Sequence, residues 1–168
     1  AEITFHPQFR RLKEILQGRS GHNIYVIMKI LLINPPRFNG HSMIREMRCV
    51  GVTLVSVFPP IELTYLAGVL RNYAAVKILD ANALNQSFKD IEKEIKSFKP
   101  EAIVFTASLP SFSADAQVAK IAKRIDKKII TILLDSHIIP VMPDKIRQTF
   151  PEIDHLVGVE PLLTIPKL

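Results

Sequence analysis

Four polar stretches in this sequence each follow a short apolar run, and together they hold the side chains best suited to bind a ligand. Asn34-Pro35-Pro36-Arg37 follows residues 30–33, and Thr106-Ala107-Ser108 follows residues 102–105. Asp135-Ser136-His137 follows residues 129–134, and Gly158-Val159-Glu160 follows residues 155–157. Asn34 is the only polar candidate at the end of its run. The hydroxyls of Thr106 and Ser108 can hydrogen-bond a ligand, or they can cap the turn that follows. Asp135, two residues before His137, can orient a metal-ligating imidazole, or the pair can form a turn with a surface histidine. Glu160 can accept a hydrogen bond from a ligand or face solvent. Met43 and Met47 fit packing within a loop. Several chemistries lose their usual support. No G-x-G-x-x-G follows residues 30–33, and no G-x-x-x-x-G-K-[ST] occurs anywhere. The acidic cluster of a phospho-acceptor domain is missing, and no Ser-His-Asp arrangement can be identified from spacing.

The bulk composition narrows the class. The 168 residues are 48% hydrophobic and 23% charged, enough for one ordinary domain with a real core and too apolar for wholesale disorder. No apolar run is long enough to span a bilayer, so no membrane partner is expected. The start, Ala1-Glu2-Ile3-Thr4-Phe5, does not read as a signal peptide. One cysteine, Cys49, excludes an internal disulfide and a cysteine-ligated iron–sulfur cluster or zinc held by this chain alone. A reducing cytoplasm is the expected compartment. The net charge of +6 includes Lys120, Lys123, Arg124, Lys127 and Lys128. No aromatic residues are interleaved to stack on bases, so these read as a solvated helix face and no nucleic-acid partner is expected.

These polar stretches need elements to hold them. Residues 30–33 form an apolar run without alternation, as in a strand buried on both faces, and Pro35-Pro36 ends it. Further strands are predicted over residues 76–80, 102–106, 128–134 and 155–158. Helices are predicted from Pro59-Pro60 with Leu63, Leu66, Ala67 and Leu70 inward, and from a capping box at Ser87 to Asp90. Another carries Ala114, Val118, Ala122 and Ile125, and a short one begins at Pro143. Residues 37–58, with Arg37, Arg45 and Arg48, read as a long irregular binding loop or lid. Residues 1–27 read as an extension: a helix with Phe9, Leu12, Ile15 and Leu16 on one face, then a linker at residues 19–23. Strands alternating with helices predict an α/β fold, a flavodoxin- or Rossmann-like three-layer sandwich. Its five-stranded parallel sheet has the expected order 2-1-3-4-5. Ligands in such sheets sit past the carboxyl ends of the strands. That gathers Asn34–Arg37, Thr106–Ser108 and Asp135–His137 around one crevice.

The ordered set of segments Met28–Pro36, Pro59–Arg71, Ile78-Leu79-Asp80-Ala81, Lys99–Val104 and Gly158-Val159-Glu160 resembles the N-terminal cobalamin-binding domain of radical S-adenosylmethionine enzymes. The resemblance covers residues 28–163, with residues 164–168 as the start of a connection to a further domain. It implies cobalamin held across the strand ends by Asn34, Pro35, Pro36, Arg37, Thr106, Ser108, Asp135, Ser136, His137, Gly158 and Glu160. In these enzymes the protein often supplies no histidine to cobalt, which leaves His137 as a weak candidate. The Cys-x-x-x-Cys-x-x-Cys motif of the radical barrel is missing, so no iron–sulfur cluster is expected on this chain. The implied function is a corrinoid module, not an enzyme by itself, that serves a radical barrel elsewhere on a longer chain or on a partner protein. Leu134-Asp135 stands where the family carries Gly-Gly. Both side chains are therefore expected to project toward the ligand tail, and replacing them with glycine is expected to strengthen binding. The alternative is a degenerate flavodoxin-like scaffold that binds no cofactor.

Overall fold

Apolar residues on both sides of the central strands build two core layers around one sheet. The computed structural model describes residues 28–46, 49–53, 56–135, 137–158 and 161–167. The expected helix on Phe9–Leu16, and the site candidates Ser136 and Glu160, lie outside the described residues. The chain runs β1 (Lys29–Asn34), β2 (Ser42–Glu46), β3 (Cys49–Thr53), α1 (Ile61–Leu70), β4 (Ala75–Asp80), α2 (Phe88–Phe98) and β5 (Ala102–Thr106). It continues through α3 (Phe112–Asp115), α4 (Gln117–Ile125), β6 (Ile130–Leu134), α5 (Pro143–Thr149), β7 (His155–Val157) and α6 (Pro161–Thr164). The main sheet has the order β4-β1-β5-β6-β7 and is parallel throughout. With the hairpin β2–β3 set aside, this is the expected order 2-1-3-4-5.

Alternate residues of each strand enter opposite layers, as the two-residue strand period requires. Leu31, Ile33, Ile103, Phe105 and Leu133 pack with Ile91, Ile95, Val118 and Ala122 of α2 and α4. Ile30, Leu32, Val104, Ile132 and Leu134 pack with Leu63, Leu66 and Leu70 of α1, and Ile165 closes this layer. Helix α2 begins where expected: the Asp90 carboxylate accepts from the Ser87 amide at 3.0 Å and the Ser87 hydroxyl at 2.7 Å. It ends at Lys99, whose φ of 53° is left-handed, just before Pro100.

Three expectations are corrected. The supposed irregular segment contains an antiparallel hairpin, with Ser42 opposite Thr53 and Glu46 opposite Cys49. It was hidden because polar Ser42 and Arg45, on opposite faces of β2, are both buried, so the strand shows no apolar alternation. The single helix expected around Ala114–Ile125 is broken at Ala116 into α3 and α4, after a 3-10 turn at Leu109–Ser111. Strand β6 starts at Ile130, since Lys127 and Lys128 lie in a turn where Asp126 accepts from the Lys128 amide at 2.8 Å.

The basic cluster has partners within the chain. Lys123 pairs with Asp154, Arg124 reaches Glu92 at 2.8 Å, and Lys120 sits 5.7 Å from the centre of the Phe150 ring. Among the described residues, no helix is long and apolar enough to cross a membrane.

Candidate functional site

The carboxyl ends of β4, β1, β5 and β6 point the same way because the sheet is parallel, and the polar stretches follow them. At the end of β1, Asn34 is buried and donates through Nδ2 to Asp80 at 2.9 Å. Pro35 and Pro36 cannot donate, but their carbonyls accept. The donor is Arg45, from β2. Its Nη1 donates to the Asn34 side chain at 3.2 Å and to the Pro35 carbonyl at 2.9 Å. Its Nη2 donates to the Pro36 carbonyl and to Asp115 Oδ1, both at 2.8 Å, and its Nε donates to Asp115 Oδ2 at 3.1 Å. Both side chains of the pair are 1% exposed. Asp115 Oδ2 also accepts from the Ser108 amide at 3.1 Å and from the Ser111 hydroxyl at 2.6 Å. Burial pushes the Asp115 carboxyl up from its ordinary range, against the pull of Arg45 and the Ser111 and Ser108 bonds.

Two further ties hold the hairpin over these strand ends. Asn82, fully buried just past β4, accepts from the Met43 amide at 2.9 Å and donates to the Met43 carbonyl at 3.1 Å. Its own carbonyl accepts from Arg37 Nε at 3.1 Å. Glu46 accepts from the Glu62 amide at 3.2 Å, in the first turn of α1. Burial raises the Glu46 carboxyl, while the amides of Glu62 and Ile61 lower it. Asn34, Pro35, Pro36 and Arg37 are therefore engaged within the chain.

The ends of β5 and β6 differ. Thr106 pairs with Leu134 in the ladder, so Asp135 lies one residue beyond its partner. Thr106 is 2% exposed, and its Oγ1 has no hydrogen-bond partner among the described residues. Asp135 is 6% exposed. Its Oδ1 accepts from the amides of His137 at 2.9 Å, Ile138, and Ile139 at 3.3 Å, while its Oδ2 is buried with no partner among the described residues. A buried polar atom without a partner costs free energy. A polar ligand at either strand end would repay that cost; strand alternation turns Thr106 to the face of its partner Leu134 and Asp135 to the other. The segments leaving β5 and β6 also expose Leu109, Val141 and Met142.

The predicted residues thus divide. Ser108 bonds Ser111 Oγ at 2.7 Å, which is the turn reading. Thr106 retains the ligand reading. Asp135 secures the turn backbone through Oδ1, and its Oδ2 has no partner among the described residues. His137 is exposed, and among the described residues no group of three or more His, Cys, Asp or Glu side chains could hold a metal. At Gly158, an added Cβ would lie 3.1 Å from Ile139 Cγ2, so glycine there lets the turn after β6 pack on the end of β7. Leu134, expected to project toward a ligand tail, is 3% exposed and packs in the layer beneath α1. Arg45, Asp115 and Asn82 were not distinguished by sequence. The available signal was weak: one acidic residue among apolar helix positions, and an arginine two residues from Met43.

The family model described as B12 binding domain matches residues 47–157. The chain is 37% identical over 142 residues to an uncharacterized methyltransferase of Pyrococcus horikoshii, covering 84% of this chain and 29% of that protein. It is 29% identical over 135 residues to the anaerobic magnesium-protoporphyrin IX monomethyl ester cyclase of Rubrivivax gelatinosus, covering 79% of this chain and 22% of that protein. The chain spans less than a third of the length of either relative.

Proposed function

This chain belongs to the B12-binding domain family, and from that premise we propose that it is a corrinoid module serving a radical S-adenosylmethionine active site outside residues 1–168. Cobalamin is the cofactor of the family, and what fits it here is the pair of unpartnered polar atoms on Thr106 and Asp135. Cobalamin carries amide and hydroxyl groups that can bond a threonine hydroxyl and a carboxylate oxygen. In this reading Thr106 and Asp135 bind the ligand, the Gly158 backbone gives the neighbouring turn room to pack, and exposed Leu109, Val141 and Met142 cover apolar parts of the corrinoid. His137 follows Asp135 in the same turn, and Ser136 and Glu160 are kept as candidates from their places in the sequence alone. When bound, cobalamin supplies a cobalt centre able to pass on a methyl group or an electron.

The link to radical chemistry rests on the ordered resemblance of residues 28–163. A methyltransferase and a cyclase among the relatives, each more than three times the length of the matched region, agree with a module fused to a larger enzyme. The partner is then a radical barrel on the continuing chain or on a second protein, and the compartment is the cytoplasm. Family membership weighs against a scaffold that binds no cofactor.

The observation that carries the proposal is the pair of unpartnered atoms at adjacent strand ends. Purified protein mixed with hydroxocobalamin and desalted should retain the visible spectrum of the corrinoid. Failure to co-elute at high micromolar concentration would contradict it. For the radical partner, the expected result is a Cys-x-x-x-Cys-x-x-Cys motif in the continuing reading frame. A frame without one, and no cluster-bearing protein co-purifying with the chain, would overturn that part.

A further inference from the structure

Arg45 has five N–H groups, and each is used on a partner within the chain. It therefore offers nothing to a ligand. A buried ion pair is also a poor source of net stability, because desolvating two charges offsets most of their attraction. What the pair does provide is geometric. A planar guanidinium binds a carboxylate through two parallel bonds, which fixes direction as well as distance. One side of Arg45 holds the carbonyls of Pro35 and Pro36, in the turn leaving β1. The other side holds Asp115, which grips the Ser108 amide and the Ser111 hydroxyl in the turn leaving β5. Ser108 stands two residues after Thr106.

We infer that Arg45 is a positioning residue of the cofactor site: with Asp115 it locks the turns after β1 and β5 together, and so fixes Thr106 at the strand end where the ligand is held. This rests on the corrinoid reading above. Arg45 never touches the cofactor and acts through Asp115 and the Ser108 turn. The hairpin that carries it is independently anchored by Asn82 and Glu46. Losing the ion pair should therefore loosen the Ser108 turn without releasing the hairpin or the sheet.

The test uses the full chain and two variants. Arg45→Met with Asp115→Asn is neutral, so neither charge is left buried and unpaired, and the asparagine carbonyl still accepts from Ser108. Arg45→Lys keeps a charge against Asp115 but lacks the fork. Two quantities are read: amide hydrogen exchange without cofactor, and hydroxocobalamin affinity by calorimetry. The expected result for the neutral pair is at least tenfold faster exchange at Ser108, unchanged exchange at Ile103 and Val104, and about tenfold weaker affinity. Arg45→Lys should recover part of both effects. Unchanged exchange at Ser108 overturns the inference, as does equally faster exchange across β5, which would assign the pair to stability alone. If the unmodified chain binds no hydroxocobalamin, the corrinoid reading is overturned, while exchange at Ser108 still decides the positioning role.

Discussion

Thr106→Val separates the cost of an unpartnered group from its use. The Thr106 hydroxyl is buried and has no partner among the described residues. An unsatisfied buried polar group carries a desolvation penalty of about 1–3 kcal/mol. Valine replaces the hydroxyl with a methyl and keeps the β-branched shape suited to a strand. The protein without cofactor should therefore gain about 1 kcal/mol of stability, a rise in Tm of roughly 2–4 °C at this size. Hydroxocobalamin affinity should move the other way, falling about tenfold, or roughly 1.4 kcal/mol. Such opposed changes are expected where a strained site trades stability for function. Urea unfolding followed by circular dichroism gives the first quantity, and calorimetric titration gives the second. A variant less stable than its parent would show that the hydroxyl is bonded in the free protein. A more stable variant with unchanged affinity would show that the corrinoid sits elsewhere, and either result refutes the reasoning.

Asp135→Ala removes the acceptor for three amides, two of them on buried Ile138 and Ile139, and should cost about 3 kcal/mol in urea unfolding. Asp135→Asn keeps an acceptor oxygen and should stay within about 1 kcal/mol of the parent. Leu134→Gly, expected from the family pattern to open the site, should instead cost at least about 3 kcal/mol, because it empties a core position and puts glycine in a strand; paired with Asp135→Gly, it should destabilise the fold before any gain in binding is seen. The Asp90 carboxyl is lowered to about 2 by the Ser87 amide, then the Ser87 hydroxyl, then Lys93. Its folded value lies below the ordinary one, so its contribution to α2 is complete above about pH 4 and is lost as the pH falls toward about 2. A side-chain NMR titration of Asp90 with an ordinary midpoint would contradict the capping box.

The three central strands of the main sheet were legible because residues 30–33, 102–105 and 132–134 are apolar without alternation, as expected of strands covered on both faces. Ser87 and Asp90 were legible as a cap because both halves lie within one turn. The hairpin was not, because its buried residues include Ser42 and Arg45 on opposite faces of β2, whose burial depends on Asn82 and Asp115, 40 and 70 residues away. The candidate site was half legible. Spacing located the strand ends and put Thr106 and Asp135 on neighbouring ones. It could not show that Arg45 satisfies Asn34, Pro35 and Pro36, nor that Leu134 faces the core, since both facts depend on contacts between distant segments.

The central claim is that the corrinoid sits at the ends of β5 and β6, and amide NMR during a hydroxocobalamin titration tests it most directly. Shifts should concentrate at residues 106–109 and 135–141, with little change at residues 120–128 on the opposite edge. Saturable binding that leaves residues 106–109 and 135–141 unmoved, or no binding at all, would contradict the account.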